Sequence, residues 1–261
     1  MRGFVDLHCH WVAGIDDGPR SPGDGLEMLR RLKQVGFDDV VATPHMRPGL
    51  FDNDRPKIEQ AFLAMGPVLS QSGAGALPRV HLSSEHFFDD VVFGRLLRGE
   101  ALPYTGGAVL VEFGSAFPVL AEHRFFDLRS RGLAPVLAHP ERYEAVWRDD
   151  ACLDPLLDSG AHLLLDLCSL VGKYGRAPER AATKLLEEDA YEAACSDAHR
   201  PEDVELVARA VDRLTALVGR ADATRLLAEG PRALLTGGSK GPEHESPGEQ
   251  RATKERHGTK Q

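Results

Sequence analysis

His8 and His10 close the first apolar run of the chain, in Asp6-Leu7-His8-Cys9-His10. Side chains alternate across a strand, so the two imidazoles share one face, Asp6 points the same way, and Cys9 takes the other face. Two imidazoles at this spacing can grip one divalent ion, although an isolated His-x-His is as readily polar surface or a satisfied core histidine. This pair is not isolated. Asp16-Asp17 follows in a Gly-flanked loop, and His45 ends a second apolar run in Thr43-Pro44-His45. Glu85 ends a third run, Glu112 a fourth, His139 a fifth, and Asp197-Ala198-His199 a seventh. Five His, two Glu, Asp197 and one of the Asp16-Asp17 pair exceed what a single ion of four to six ligands can use. Two or three ions sharing a bridging carboxylate are required. Three divalent ions, four carboxylates and one bridging hydroxide leave about one positive charge, which attracts a phosphate dianion. Clustered ions also acidify bound water and clamp the attacking and leaving oxygens of an in-line displacement.

Ligands so distributed need strands that all end on one side. Candidate strands are Phe4–His8, Asp39–Thr43, Val80–Ser84, Ala108–Glu112, Ala134–Ala138, His162–Leu167 and Tyr191–Ser196. Helical patterns lie between them at Pro22–Gln34, Pro56–Leu69, Val119–Ser130 and Ala177–Glu188, and a last one covers Pro201–Val218. Ser21-Pro22 supplies an N-cap with Pro at N1, and Gly36 stops that helix. Strand–helix alternation argues for parallel β with crossover helices. Seven such units suggest an α/β barrel related to the (β/α)8 form, whose chemistry sits at the C-terminal strand ends. Six of the seven candidate strands deliver His, Asp or Glu there.

The 261 residues carry 31 basic and 40 acidic side chains, a net charge of −9 that disfavours bulk binding of nucleic acid or anionic membrane. No stretch approaches a membrane span and no signal peptide is visible. Four cysteines fit a reducing compartment, so a cytoplasmic location is expected. From Gly238 to Gln261 there is no Val, Ile, Leu, Met, Phe, Trp or Tyr. That composition predicts a disordered tail (238–261) behind one domain (1–237). Oligomeric state is not legible.

As an ordered set, Asp6-Leu7-His8-Cys9-His10, Thr43-Pro44-His45, Ala138-His139-Pro140-Glu141-Arg142 and Ser196-Asp197-Ala198-His199 resemble the motifs of the polymerase-and-histidinol-phosphatase (PHP) superfamily. More narrowly, Gly14-Ile15-Asp16-Asp17-Gly18, Leu110-Val111-Glu112-Phe113 and His139-Pro140-Glu141-Arg142 resemble the bacterial capsule-type, manganese-dependent protein-tyrosine phosphatases. The resemblance covers roughly residues 4–236. It implies a distorted (β/α)7 TIM-like barrel with three divalent ions, typically Mn2+, with Fe, Zn, Co or Mg as substitutes. By position, His8, His10, Glu85 and Asp197 would hold one ion. Glu85, Glu112 and His139 would hold the second, and Asp17, His45 and His199 the third. The resemblance also implies a tyrosine-phosphorylated autokinase as substrate, in the control of capsule or exopolysaccharide production.

Arg142 and Arg47 sit on ligand-bearing loops and Arg200 directly follows His199, so these three are candidates to neutralise a phosphoryl transition state. Trp11, Phe51, Phe87, Phe88 and Tyr104 are candidates for a cleft that takes a tyrosyl ring, with core packing as the commoner role. A thiolate phosphatase needs Arg six residues after its Cys. Six beyond Cys9, Cys152, Cys168 and Cys195 stand Ile15, Asp158, Tyr174 and Pro201, so metal-bridging hydroxide is the expected nucleophile. The expected activity is phosphotyrosine hydrolysis, with a small-metabolite phosphomonoesterase such as a histidinol-phosphate phosphatase as the alternative on the same barrel.

Overall fold

Short apolar runs become strands buried on both faces, and the amphipathic stretches between them become the helices that cover those strands. In the computed structural model, which describes residues 2–73, 75–114 and 117–238, the first half contains β1 (Phe4–Cys9), α1 (Pro22–Val35), β2 (Phe37–Ala42), β3 (His45–Met46), α2 (Arg55–Ala64), α3 (Gly66–Ser70), β4 (Arg79–Leu82), β5 (Glu85–Phe87), α4 (Asp90–Leu97) and β6 (Ala108–Glu112). The second half contains α5 (Ala121–Ser130), β7 (Ala134–Ala138), α6 (Glu144–Arg148), α7 (Asp154–Asp158), β8 (His162–Asp166), α8 (Arg176–Glu187), β9 (Ala193–Cys195), α9 (Asp203–Thr224) and α10 (Gly230–Thr236). The predicted tail lies, beyond Gly238, outside the described residues.

All strand pairs are parallel, in the orders β1-β2-β4 and β3-β5-β6-β7-β8-β9. The chain passes from β2 to β3 through Thr43-Pro44 and from β4 to β5 through Ser83-Ser84, so nine segments occupy seven barrel positions. Pro44 has no N–H to give the ladder, which explains the first interruption. β1 and β9 are tied just beyond their laddered parts: the amide of His10 donates to Ala198 at 2.9 Å and that of Asp197 to His8 at 2.9 Å. This is the expected distorted (β/α)7 barrel.

Val5, Leu7, Val41, Leu110, Val136, Leu164 and Ala193 form an inner apolar layer. Leu234 and Leu235 of α10 join it, while the amide of Gly106 donates to Leu235 at 2.8 Å. A Cβ on Gly106 would lie 2.0 Å from the nitrogen of Gly237, so only glycine lets α10 close the N-terminal mouth of the barrel. The opposite mouth is left to the polar residues.

Several expected boundaries shift. The helix read over 56–69 breaks at Met65, because Gly66-Pro67 starts a second short helix. The last helix runs past Val218 to Thr224, with Gly219 at φ 81° marking a kink, and α10 was not anticipated. Among the described residues no helix is long and apolar enough to cross a membrane.

Candidate metal centre

The C-terminal strand ends and the loop after β1 bring all nine candidate ligands into one largely buried cluster, with Asp17 exposed and His199 half-buried at its edge. Donor atoms fall into four groups within which every pair lies inside 4.8 Å: His10, Asp17, His45 and His199; His8, His10 and Glu85; His8, His139 and Asp197; and His45, Glu85 and Glu112. Nitrogen or oxygen ligands about 2.1 Å from an ion stand roughly 3–4 Å apart, so each group has the spacing of a coordination site. His8, His10, His45 and Glu85 each belong to two groups. Glu85 Oε2 lies 3.5 Å from His8 Nε2 and 2.8 Å from His45 Nδ1, and its other oxygen lies 3.1 Å from His139 Nε2. It is the central carboxylate. The groups place His139 with His8 and Asp197, where the family resemblance puts it with Glu112.

Two candidate ligands sit on strained backbone. His139 (φ 38°) and Asp197 (φ 43°) are two of four non-glycine residues with positive φ among the described residues. Each such residue costs on the order of 1–3 kcal/mol, and such strain gathers at functional sites. It persists because the His139 amide donates to Leu164 and the Asp197 amide to His8.

The donor set fits divalent cations. His45 Nδ1 and Asp197 Oδ1 are buried without a hydrogen-bond partner, yet lie 2.8 Å from Glu85 and 3.0 Å from His8 Nε2, respectively. Lone pairs that converge without hydrogen-bond geometry are what an intervening cation satisfies. Protons are a poor substitute. Burial works against a charged His45, but Glu85 and Asp17 push it up to about 11. His199 likewise goes to about 9 through Asp197 and Asp17, against burial. Burial would raise Glu85, but His8 and His45 hold it well below the usual carboxylate range. Burial and then the charge of Glu85 push Glu112 up to about 7. Cations would displace the extra protons that the carboxylates hold on the imidazoles.

The adjacent aspartates separate cleanly. Asp17 reaches His45 Nε2 and His199 Nε2, both at 3.5 Å. Asp16 turns back: its Oδ2 accepts from His10 Nδ1 at 2.8 Å and from the His45 amide at 3.1 Å, and its Oδ1 from the Gly18 amide at 3.0 Å. It orients the His10 ring from behind. Asp6 also differs from the alternation argument. Its Oδ1 accepts from the amides of His8 and Ser196 and it joins none of the four groups. The β1–β2 register shifts between Asp6 and Cys9, so Leu7 packs inward while His8 and His10 still face the cluster.

Arg142 and Arg47 border the cluster on different sides. Arg142 Nη1 donates to Asp197 Oδ2 at 2.6 Å, and Arg47 Nη1 lies 3.5 Å from Glu112 Oε2. Arg200 is not brought there: it is exposed and tied through its backbone to Asp203, its amide donating to Asp203 Oδ2 and its carbonyl accepting from the Asp203 amide, both at 3.1 Å. Of the aromatics, Phe51 stacks on His45 at 5.1 Å and Phe87 lies 4.3 Å beneath the Arg47 guanidinium. Trp11 and Tyr104 are core residues, Tyr104 donating to the carbonyl of Leu7 at 2.7 Å, and Phe88 packs on Phe113 and Phe125. Cys9, Cys168 and Cys195 are buried and burial pushes their thiols up, so none is poised as a thiolate.

Two buried carboxylates behind the cluster escaped the sequence reading. Glu141 accepts from the Asp166 amide, Ser169 Oγ and Tyr191 OH, and burial followed by Asp166 pushes it up to about 8. Asp166 ends β8, the strand that seemed to deliver no acid. Leu165-Asp166-Leu167 carries its signal, because β8 ends at Asp166, one residue before the expected strand end at Leu167.

A family model described as capsular polysaccharide synthesis, CpsB/CapC, matches residues 4–236. The chain is 29% identical over 203 residues to the tyrosine-protein phosphatase YwqE of Bacillus subtilis, covering 75% of this chain and 77% of that protein. It is 24% identical over 244 residues to the tyrosine-protein phosphatase CpsB of Streptococcus pneumoniae, covering 89% and 98%. A crystal structure from work on these same two proteins, described as metal-dependent tyrosine phosphatases, superimposes with a TM-score of 0.80 at 27% identity, covering 89% of this chain and 94% of that one.

Proposed function

The chain belongs to the CpsB/CapC family of capsular polysaccharide synthesis, and on that premise we propose that it is a metal-dependent tyrosine-protein phosphatase holding three divalent ions, Mn2+ foremost. The ligands are His8, His10, Asp17, His45, Glu85, Glu112, His139, Asp197 and His199. The observation that carries this reading is the convergence of all nine donors on the C-terminal mouth of the barrel, with Glu85 at their centre. Bound divalent ions would supply an acidified nucleophilic water and neutralise phosphoryl charge. The chain's own residues do the rest. Arg142 and Arg47, each with a side chain 30% exposed, reach the phosphoryl oxygens from two sides. Phe51 and Phe87 offer apolar faces beside the mouth for the tyrosyl ring. No dedicated acid is needed, because a phenolate of pKa about 10 is a tolerable leaving group.

The proposed substrate is a tyrosine-phosphorylated autokinase of the capsule or exopolysaccharide machinery, met in the cytoplasm. One Mn2+-loaded preparation assayed at one pH against a phosphotyrosine peptide, a phosphoserine peptide and histidinol phosphate tests it. The phosphotyrosine peptide should show the highest kcat/KM by a wide margin. A clear preference for histidinol phosphate would move the protein to small-metabolite phosphatases and leave the metal centre intact.

A further inference from the structure

Arg142 is held on three sides. Its Nη1 donates to Asp197 Oδ2 and lies 3.7 Å from Asp166 Oδ2, and its guanidinium carbon stands 4.5 Å over the ring of Tyr174. Asp166 is fully buried, and its Oδ2 has no hydrogen-bond partner. Its Oδ1 accepts from the Cys168 amide at 2.9 Å and so caps the 3-10 turn Leu167–Val171. Gly172 (φ 76°) ends that turn and returns the chain so that Tyr174 covers Arg142. Glu141, next to Arg142 in sequence, accepts from the Asp166 amide at 2.9 Å and from Ser169 Oγ at 3.0 Å, which locks the two turns together.

A buried carboxylate with a free oxygen is costly unless cations compensate it; Arg142 at 3.7 Å and Lys173 both do so, and of the two Arg142 is the one that borders the metal cluster. At 3.7 Å Asp166 attracts the guanidinium without consuming a donor. A tyrosine face favours a stacked guanidinium and fixes its plane. Among the described residues, protein acceptors engage only Nη1 of Arg142. The Nε and Nη2 hydrogens remain for a ligand, in the fork geometry that binds phosphate with two parallel bonds.

We infer that Asp166 and Tyr174 are positioning residues that set the free edge of Arg142 toward the substrate phosphate, Asp166 as its electrostatic anchor and Tyr174 as its platform. The inference rests on the reading above, in which Arg142 binds the phosphoryl group, and names what makes that arm rigid.

The test is binding of inorganic phosphate to the Mn2+-loaded full chain by calorimetry, alongside kcat and KM for a phosphotyrosine peptide and the metal content of each variant. Arg142→Ala should weaken phosphate binding about tenfold or more, as expected for loss of a bidentate charged contact. Asp166→Asn and Tyr174→Ala should each weaken it several-fold with metal content unchanged, and Tyr174→Phe, which keeps the ring, should restore wild-type affinity. Combined with Arg142→Ala, neither substitution should weaken phosphate further, because both act through the guanidinium. If Asp166→Asn or Tyr174→Ala weakens binding equally with and without Arg142, or leaves it unchanged where Arg142→Ala does not, the positioning role is overturned. If Arg142→Ala itself binds phosphate like wild type, Arg142 as the phosphate arm fails first and takes this inference with it. Tyr174 is a partly exposed turn residue, so its variants keep the question decidable should Asp166→Asn fail to fold.

Discussion

Replacing Asp16 separates orientation of a ligand from ligation. Its carboxylate accepts three hydrogen bonds, from His10 Nδ1, the His45 amide and the Gly18 amide. All three partners are donors, so Asp16→Asn must turn its amide nitrogen toward at least one of them, and Asp16→Ala abandons all three. A carboxylate behind a metal-ligating histidine fixes its tautomer and raises its basicity, and its loss typically costs about 10–100-fold in metal affinity. That corresponds to about 1.4–2.7 kcal/mol. The two orphaned amides lie on the loop and strand end that carry Asp17 and His45, so each adds about 1 kcal/mol of lost stability. Competition of Mn2+ between the protein and a calibrated chelator should therefore show one class of ion weakened about 10–100-fold in Asp16→Ala, with stoichiometry at saturating metal unchanged. Asp17→Ala should instead lower the stoichiometry or abolish the weakest class outright. Wild-type affinity in Asp16→Ala would refute the orienting role. Loss of an ion in Asp16→Ala but not in Asp17→Ala would show that the two aspartates have exchanged parts.

Cys9 packs in the outer core with its Sγ 3.6 Å from the Ala198 carbonyl, so Cys9→Ser should keep most of kcat; an inactive but folded and fully metallated variant would reopen a thiol mechanism. His86 is satisfied only as the neutral ring, with Nδ1 donating to Leu110 and Nε2 accepting from the Leu102 amide, and burial lowers it to about 4. The fold thus binds fewer protons than the unfolded chain, so this stabilisation is complete above pH 6.5 and is lost as pH falls toward 4, by at most about 3 kcal/mol. Urea unfolding across that window should show a shallower decline for His86→Asn than for wild type, and parallel declines would dismiss the effect. Deleting residues 239–261, which carry no large apolar side chain, should change neither Tm nor small-substrate turnover, and a marked fall in either would reveal docking on the barrel.

The barrel was legible because its strands are short, apolar and separated by well-capped helices. Ser21 Oγ accepts from the Asp24 amide and Gly36 ends α1 at φ 126°, as the local residues suggest. The convergence of the candidate ligands was legible because polar residues recur at the same end of nearly every strand. Other features depend on what folding brings together. Alternation puts Asp6 on the face of His8 and His10, but a register shift in β1 turns it to backbone amides. Asp16 and Asp17 are indistinguishable in sequence and distinct in role. Arg142 is engaged because Asp197 and Asp166 arrive from two other strand ends, whereas Arg200 points out despite standing beside His199. α10 was missed because Gly230-Pro231 reads as a break, yet a Cβ at Gly230 would meet the Glu192 carbonyl at 2.0 Å. Its glycine marks close packing, not a chain end.

The central claim is that nine side chains at one mouth of the barrel hold the divalent ions on which phosphate hydrolysis depends. The most direct measurement is phosphotyrosine hydrolysis by one preparation, first stripped of metal and verified by mass spectrometry, then titrated with Mn2+. Turnover should be absent from the stripped protein, return with added Mn2+, and saturate near three ions per chain, with His139→Ala or Asp197→Ala lowering kcat at least ~10²-fold. Full turnover in verified metal-free protein would contradict the account.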